Sequence, residues 1–169
     1  MNEEKLRARM SRKAFLTSGG ALVGAVLLGG LRSRADADNT ALLQAELDAW
    51  NSHNPDALVA LFTEDVVYED VTLGVVNRGT AELRAFAEGV FTAIPDVNFP
   101  MVSSFLKGGK GFLEWIFKGT DVGMYGTGKA FSLRGGSVIE VHGTKIARQS
   151  DYWDLATLLR QIGLLPPDL

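Results

Sequence analysis

Asp70 ends a short run of strand-forming residues and is the first side chain that suggests chemistry. In an extended strand alternate side chains share a face, so Val66, Tyr68 and Asp70 point to the same side. A carboxyl group in that setting fits two roles: it forms the turn that follows in residues 71–74, or it lies at the lip of a pocket. In an apolar pocket, loss of solvation would raise its pKa and make it a better base near neutral pH.

Other reactive residue types are scarce. The chain has no cysteine, so a disulfide, a thiolate nucleophile and a thiolate metal site are all excluded. It has two histidines, His53 and His142, which argues against a multi-histidine metal site. His142 lies in a glycine turn, where a solvated side chain is expected.

Residues 1–37 have the composition of an export signal. Basic residues precede an uncharged stretch from Ala14 to Leu31, and Ala35-Asp36-Ala37 has the small residues that a signal peptidase requires. Ser11 to Leu16 resembles the twin-arginine (Tat) consensus, with lysine in place of the second arginine. We predict an export signal at 1–37, one domain at 38–169 and a periplasmic or extracellular location. An uncleaved membrane anchor is the alternative, because the uncharged run is near the lower length limit for crossing a bilayer.

The charge balance disfavours a nucleic-acid partner. Residues 1–37 contain seven of the 17 lysines and arginines and three of the 20 acidic residues, so the remainder carries a formal charge of −7. Nucleic-acid binding depends on clustered positive charge that neutralises phosphates. The predicted domain lacks that excess.

Helical periodicity dominates the first half of the domain. From Asn39 onward apolar residues recur at spacings that bury one face, and Asn54 with Pro55 starts a second helix. The short strand that ends at Asp70 follows. A third helix is predicted to begin at Thr80, as its cap, and to end before Pro95.

Strand periodicity dominates the second half. Four segments rich in β-branched and aromatic residues are separated by glycine turns, and they predict consecutive antiparallel strands. The segments are Asn98 to Leu106, Gly111 to Thr120, Ala130 to Val141 and Lys145 to Trp153. A last helix, Leu155 to Ile162, follows Asp154, which is a natural cap. The order of elements predicts an α+β domain.

The ordered residues resemble one superfamily along nearly all of 39–166. The motifs are Trp50-Asn51, Asp56 to Phe62, Glu64-Asp65, Tyr68-Glu69-Asp70, Arg78-Gly79, Leu83 to Phe86, Pro95-Asp96 and Lys145 through Pro166. This set resembles the SnoaL-like polyketide cyclases and the ketosteroid isomerases, which share the fold of nuclear transport factor 2. The resemblance implies a cone-shaped, curved, mostly antiparallel sheet on three N-terminal helices, with a short C-terminal helix and an apolar pocket.

The resemblance also implies site residues and partners. It places Asp70 where ketosteroid isomerases hold their base, and Asp154 where SnoaL-like cyclases hold an acid/base aspartate. Tyr68, Trp50, Trp115 and Asp151 are then candidates to contact a ligand, although the face of the last strand that carries Asp151 is undetermined. The implied chemistry needs no cofactor and no metal, the implied partner is a small hydrophobic molecule, and the family suggests a homodimer.

The sequence departs from the family pattern at the groups that would identify a reaction. The tyrosine of the ketosteroid isomerase oxyanion hole falls here on Glu46, and its protonated aspartate falls near Ser137. Gln149 and Ser150 stand where many SnoaL-like sequences have a histidine and a tryptophan. The sequence therefore does not support steroid isomerisation, and it weakens the case for polyketide ring closure as the reaction.

Two hypotheses remain open. The first is an isomerase, cyclase or epoxide hydrolase, and epoxide hydrolysis would need Arg134 or Arg148 to lie between Asp70 and Asp154. The second is an exported, non-catalytic domain that binds an apolar molecule, with Asp154 acting only as a helix cap. Geometry discriminates them: Asp70 and Asp154 opening into one enclosed apolar pocket favour the enzyme, and either of them facing solvent or bonding backbone N–H groups favours the binder.

Overall fold

The computed structural model describes residues 34–167, with side chains placed from residue 40. The predicted export signal falls almost wholly outside these residues, and it stays a prediction. Within 34–167, no helix is long and apolar enough to cross a membrane.

Four helices and six strands follow one another within residues 34–167. The helices are α1 (Arg34–Asn51), α2 (Pro55–Val59), α3 (Gly79–Ala93) and α4 (Leu155–Gln161). The strands are β1 (Phe62–Asp70), β2 (Val75–Arg78), β3 (Met101–Lys107), β4 (Lys110–Thr120), β5 (Ala130–His142) and β6 (Lys145–Trp153). These elements confirm the predicted α+β class and the consecutive strands of its second half.

All six strands form one sheet in the order β2-β1-β6-β5-β4-β3. Neighbours pair antiparallel, except that β1 runs parallel to β6. The β3–β4 hairpin is closed by Gly108 and Gly109, both with positive φ (59° and 76°), the conformation that a two-residue hairpin turn requires. Register shifts in β1, β3 and β5 add the local bends that curve a sheet.

The core lies between the sheet and the first three helices. Buried leucines of α1, α2 and α3 (Leu43, Leu58 and Leu83) pack with the inward face of the strands. On β1, Val66, Tyr68 and Asp70 are buried, while the residues between them are only half-buried. The predicted face of this strand is therefore confirmed.

Two local predictions need correction. Strand β2 was not predicted, and it pairs with β1 at the edge of the sheet. Thr80 does not cap α3: the cap residue is Arg78, and its backbone N–H donates to the Glu82 carboxylate (2.6 Å). The Glu82 carboxylate thus accepts a hydrogen bond from a backbone N–H at the start of the helix, where no helical carbonyl is available to accept it.

Candidate functional site

A pocket opens between the sheet and helices α1 and α3. Its cavity volume is about 50 Å³, against the roughly 10–15 Å³ that one water molecule needs on that measure, so it has room for a small organic molecule. The side chains that line it are Glu46, Leu47, Trp50, Tyr68, Asp70, Leu73, Phe86, Val90, Phe99, Trp115, Phe117, Met124, Gln149, Asp151 and Trp153.

The register between β1 and β6 places the polar groups of this pocket side by side. Tyr68 is paired with Gln149 and Asp70 with Asp151. Residues paired across neighbouring strands present their side chains on one face, and the next residue along is within reach of a long side chain. The Tyr68 hydroxyl therefore meets Asp151, and the Trp153 indole meets Asp70 along the same diagonal.

Asp70 is held at both carboxylate oxygens. The Trp153 indole N–H donates to Oδ2 (3.0 Å), and the backbone N–H of Leu73 donates to Oδ1 (2.9 Å). The side chain is 6% exposed, and burial raises its pKa, although these hydrogen bonds favour the charged form and oppose the shift. The second hydrogen bond shows that Asp70 does form the predicted turn, while its side chain also lines the pocket.

Asp151 is the more deeply placed carboxylate. It accepts hydrogen bonds from the Tyr68 hydroxyl at Oδ2 and from the Gln149 amide at Oδ1 (3.1 Å). Burial raises its pKa to about 6, against the opposing effect of hydrogen bonds from Tyr68, Ser137 and Gln149. The face of β6 that carries Asp151, which the sequence left undetermined, points into the pocket together with Gln149 and Trp153.

Glu46 brings a third carboxyl group from α1. Its Oε1 accepts from the Gln149 amide nitrogen (2.7 Å), so this one nitrogen bridges Glu46 and Asp151. Burial, and then the nearby charge of Asp151, raise the pKa of Glu46 to about 8. Without a ligand, Glu46 is therefore mainly protonated at neutral pH while Asp151 is mainly ionised.

Aromatic side chains form most of the remaining wall. Trp50 lies among Tyr68, Phe86 and Phe99, with ring centroids between 5.6 and 6.5 Å away. The Trp115 indole N–H donates to the Ser137 hydroxyl (2.9 Å). Such walls exclude water and keep the local dielectric low, which strengthens the electrostatic interactions of the carboxyl groups.

The structure brings five of the six predicted site residues together: Asp70, Asp151, Tyr68, Trp50 and Trp115 all line the pocket. Within the pocket the Tyr68 hydroxyl donates its hydrogen bond to Asp151.

Asp154 lies elsewhere. It is exposed and caps α4, where it accepts hydrogen bonds from the backbone N–H (3.0 Å) and the hydroxyl (2.6 Å) of Thr157. These bonds lower its pKa, whereas a catalytic base would need a raised one. The geometry matches the helix-cap alternative and leaves Asp154 without a place in the pocket.

The arginines required for epoxide hydrolysis are also outside the pocket. Arg134 is exposed and pairs with Glu114 (3.5 Å), and Arg148 pairs with Glu69 (3.5 Å). Neither lines the pocket, and Asp70 and Asp154 do not face each other across it. An Asp-Arg-Asp relay is therefore not formed.

Two pocket residues, Glu46 and Gln149, appeared in the sequence only as departures from the family pattern. Glu46 did carry a signal, because it lies in the apolar stripe of α1 with Leu43, Leu47 and Trp50. A carboxyl group in a buried stripe is rare unless it is paired or functional. Gln149 had the weaker signal of sharing a strand face with Asp151.

The polar groups of the pocket do not resemble a metal site. Within residues 34–167 no group of three or more histidine, cysteine or acidic side chains is arranged to hold a metal ion. The three carboxyl groups of the pocket are instead engaged by indole, phenol, amide and backbone donors, which is an arrangement suited to holding or moving protons.

Comparison with known proteins gives a family and a fold. The family profile described as SnoaL-like polyketide cyclase matches residues 40–162. No protein of the curated set matches the chain.

Several solved structures share the fold. A hypothetical protein of ketosteroid isomerase-like fold from Catenulispora acidiphila, solved in complex with trimethylamine, is 25% identical with a TM-score of 0.68, covering 76% of this chain and 95% of its own. A proposed polyketide cyclase from Xanthomonas campestris pv. campestris is 24% identical, with a TM-score of 0.67 and coverages of 76% and 98%. A proposed SnoaL-like polyketide cyclase from Jannaschia sp. CCS1 is 14% identical, with a TM-score of 0.70 and coverages of 82% and 100%. At these identities the last two support the fold alone.

Proposed function

The chain belongs to the SnoaL-like polyketide cyclase family, and from that premise we propose that it is a cofactor-independent enzyme that moves a proton on a small hydrophobic carbonyl compound. The observation that carries the proposal is Asp70, a carboxylate with a raised pKa that is fixed at both oxygens in an aromatic pocket. Fixing the base before the substrate arrives removes much of the entropic cost of the reaction.

Asp70 supplies the base. One of its carboxylate oxygens takes a proton from the carbon next to the carbonyl group, and the C–H electron pair forms the enolate. In an isomerisation the proton returns from Asp70 to a different carbon of a conjugated enolate. In a ring closure the enolate carbon attacks a second carbonyl carbon, the π electrons of that carbonyl move to its oxygen, and the resulting alkoxide takes the proton from Asp70. The Trp153 indole keeps the carboxylate oriented throughout, because its N–H is already bonded to Oδ2.

The test is turnover of small hydrophobic ketones, diketones and lactones by Asp70→Asn and by the matched variant Asp154→Asn. We expect Asp70→Asn to lose at least about 100-fold in kcat/KM, the usual contribution of a positioned base. Asp154→Asn should keep its activity, because asparagine is as good a helix cap as aspartate. Unchanged turnover in Asp70→Asn would remove Asp70 from the reaction.

A second candidate function is the non-catalytic binding of an apolar small molecule. Three observations favour it: Asp154 is an exposed helix cap that accepts from a backbone N–H, Asp70 accepts from a backbone N–H in its turn, and the Catenulispora acidiphila protein was solved with trimethylamine. Saturable binding without turnover of any compound in the screen would support this candidate against the enzyme.

Export belongs to the same proposal. It is supported by the basic and uncharged segments and the Ala35-Asp36-Ala37 motif of residues 1–37. N-terminal sequencing of protein recovered from outside the cytoplasm should find Asp38 first, and an intact signal on cytoplasmic protein would contradict it.

A further inference from the structure

The side-chain donors of the pocket are already used. The Tyr68 hydroxyl and the Trp153 indole each donate to a carboxylate, and the Trp115 indole donates to a serine. The Gln149 amide nitrogen has two hydrogens, and it serves two carboxyl groups. The Trp50 indole interacts with Glu46 and favours its charged form. The described side chains therefore offer a ligand no uncommitted N–H or O–H group as long as Glu46 is ionised.

Two acceptors of the same pocket lack partners. Glu46 Oε2 and Gln149 Oε1 are buried and have no hydrogen bond, and each residue is 1% exposed. Gln149 Oε1 is an acceptor at any pH, whereas Glu46 Oε2 is a free acceptor once Glu46 has lost its proton. A buried acceptor without a donor costs about 1–3 kcal/mol, so native structures rarely keep one without a reason. A ligand that donates hydrogen bonds would remove that cost.

The acidic side chains of the pocket also favour a ligand that donates hydrogen bonds and carries positive charge. Three of its lining residues are carboxylic acids, and no lysine, arginine or histidine occurs among the described residues that line it. Seven aromatic rings surround these acids: Trp50, Tyr68, Phe86, Phe99, Trp115, Phe117 and Trp153. Aromatic faces attract organic cations, most strongly where water is excluded.

We propose that the substrate carries an alkylammonium group. This group donates hydrogen bonds to Glu46 and Gln149, and the tryptophan and phenylalanine rings surround it. This inference rests on the proposed function, because it names the class of substrate for the same pocket: a small hydrophobic carbonyl compound that bears a protonated amine.

A cationic substrate also meets a need of the proposed reaction. An enolate oxygen requires a nearby positive charge or a free donor. Protonated Glu46 is such a donor in the empty pocket, but once a bound ammonium group has ionised it the described side chains offer no other. An ammonium group beside the carbonyl group would stabilise the enolate from within the substrate. Its charge would at the same time lower the pKa of Glu46, so binding at neutral pH should release a proton.

Tryptophan fluorescence reports on this site directly, because all three tryptophans of the chain line the pocket. The probes for the full chain are tert-butylamine in its protonated form, tert-butanol as a neutral compound of nearly the same shape, and tetramethylammonium as a permanent cation without N–H groups. We expect both cations to bind saturably and the protonated amine to bind roughly tenfold more tightly than tert-butanol.

The pH dependence separates a cation from a neutral carbonyl ligand. The titratable groups that face Glu46 are Asp151, Tyr68 and Asp70, and none of them is basic. Affinity for tetramethylammonium should rise severalfold between pH 6 and pH 9 as Asp151 and then Glu46 ionise. A neutral ketone would instead bind more tightly at low pH, where protonated Glu46 can donate a hydrogen bond.

Variants complete the test. Glu46→Gln should remove most of the preference for the amine over the alcohol, while Glu88→Gln, which removes an exposed carboxylate from α3, should keep it. Equal binding of amine and alcohol, affinity that falls with rising pH, or no saturable response to either cation would each overturn the inference. Turnover is scored separately: ketone turnover that depends on Asp70 without any cation preference refutes this inference alone, and cation binding without turnover refutes only the enzyme.

Discussion

Tyr68 is the side chain on which the ionisation of Asp151 depends most directly. Its hydroxyl donates to one oxygen of that buried carboxylate, and burial already raises the carboxyl pKa to about 6. In Tyr68→Phe we expect the pKa of Asp151 to rise further, and the free energy of unfolding at pH 7 to fall by about 1–3 kcal/mol. Urea denaturation and carbon-detected NMR titration of the carboxyl group measure the two effects.

Tyr152 provides the matched control for this substitution. It is the next residue after Asp151, but it points to the opposite face of β6 and is 49% exposed. Tyr152→Phe should change stability by less than about 0.5 kcal/mol. If Tyr68→Phe leaves the Asp151 pKa where it is, the hydrogen bond does not support the charged form.

At this scale strand parity grouped Asp70 with Tyr68, whereas the resemblance to the family was the ground for Asp154. Asp70 and Tyr68 were placed correctly because they alternate on one short strand. Asp154 lies one residue beyond β6, where the chain has turned into a helix, and the side chain that reaches the pocket is Asp151. The choice between these two acids depends on the register and end of β6, which no single residue encodes.

The glycine pair of β5 decides how closely the aromatic wall approaches the sheet. Gly135 faces Trp115 across the β4–β5 pair, and a Cβ atom added there would overlap the six-membered ring of that indole. Gly135→Ala should therefore displace Trp115 from the pocket wall, destabilise the fold by about 1–3 kcal/mol, and weaken ligand binding. Near-UV circular dichroism and the fluorescence titration should both report the displaced tryptophan.

Gly136 is the control at the neighbouring position. A Cβ atom there would meet the Phe112 ring, which does not line the pocket. Gly136→Ala should destabilise the fold without altering the tryptophan signals or the binding of pocket ligands. Identical binding losses in both variants would mean that β5 as a whole, rather than the Trp115 ring, shapes the pocket.

Elements with strong local signals were predicted well. Strands β4, β5 and β6 were found within one residue of their bounds, because aromatic and β-branched segments end at glycine turns. Strand β2 was missed because it has four residues, three of them exposed, and becomes a strand only through pairing with β1. The cap of α3 was misplaced by two residues because the Glu82 carboxylate, and not a threonine hydroxyl group, accepts the hydrogen bond from the backbone N–H at the start of this helix.

The pocket itself is a property of the whole molecule. Its polar groups come from residues 46, 68, 70, 149 and 151. The last four meet because β1 pairs in parallel with β6, so that Asp70 lies beside Asp151 although more than eighty positions separate them in the sequence. Local periodicity carries no information on that pairing. The resemblance to the family supplied a curved, mostly antiparallel sheet on three helices but not this pairing, which is why the fold was predicted more fully than the contacts among the site residues.

The three buried carboxyl groups give the domain a stability that depends on pH. The folded protein holds protons on Glu46 and Asp151 up to about pH 8 and 6, whereas the unfolded chain releases them near 4.5 and 3.8. Between these values the native state binds more protons, so the free energy of unfolding falls as pH rises. Glu46 alone accounts for up to about 5 kcal/mol, since each pKa unit is worth about 1.4 kcal/mol.

Glu46→Gln should abolish most of this loss. Glutamine keeps the shape and leaves an acceptor oxygen for Gln149, but it carries no charge to desolvate at high pH. Urea denaturation at pH 5, 7 and 8.5 should show a falling stability for the unchanged protein and for Glu88→Gln, and a flatter curve for Glu46→Gln that lies above both at pH 8.5. A parallel set of three curves would mean that Glu46 ionises in the folded protein as it does in water, and the part of the predicted rise in cation affinity that comes from Glu46 between pH 6 and pH 9 would be lost.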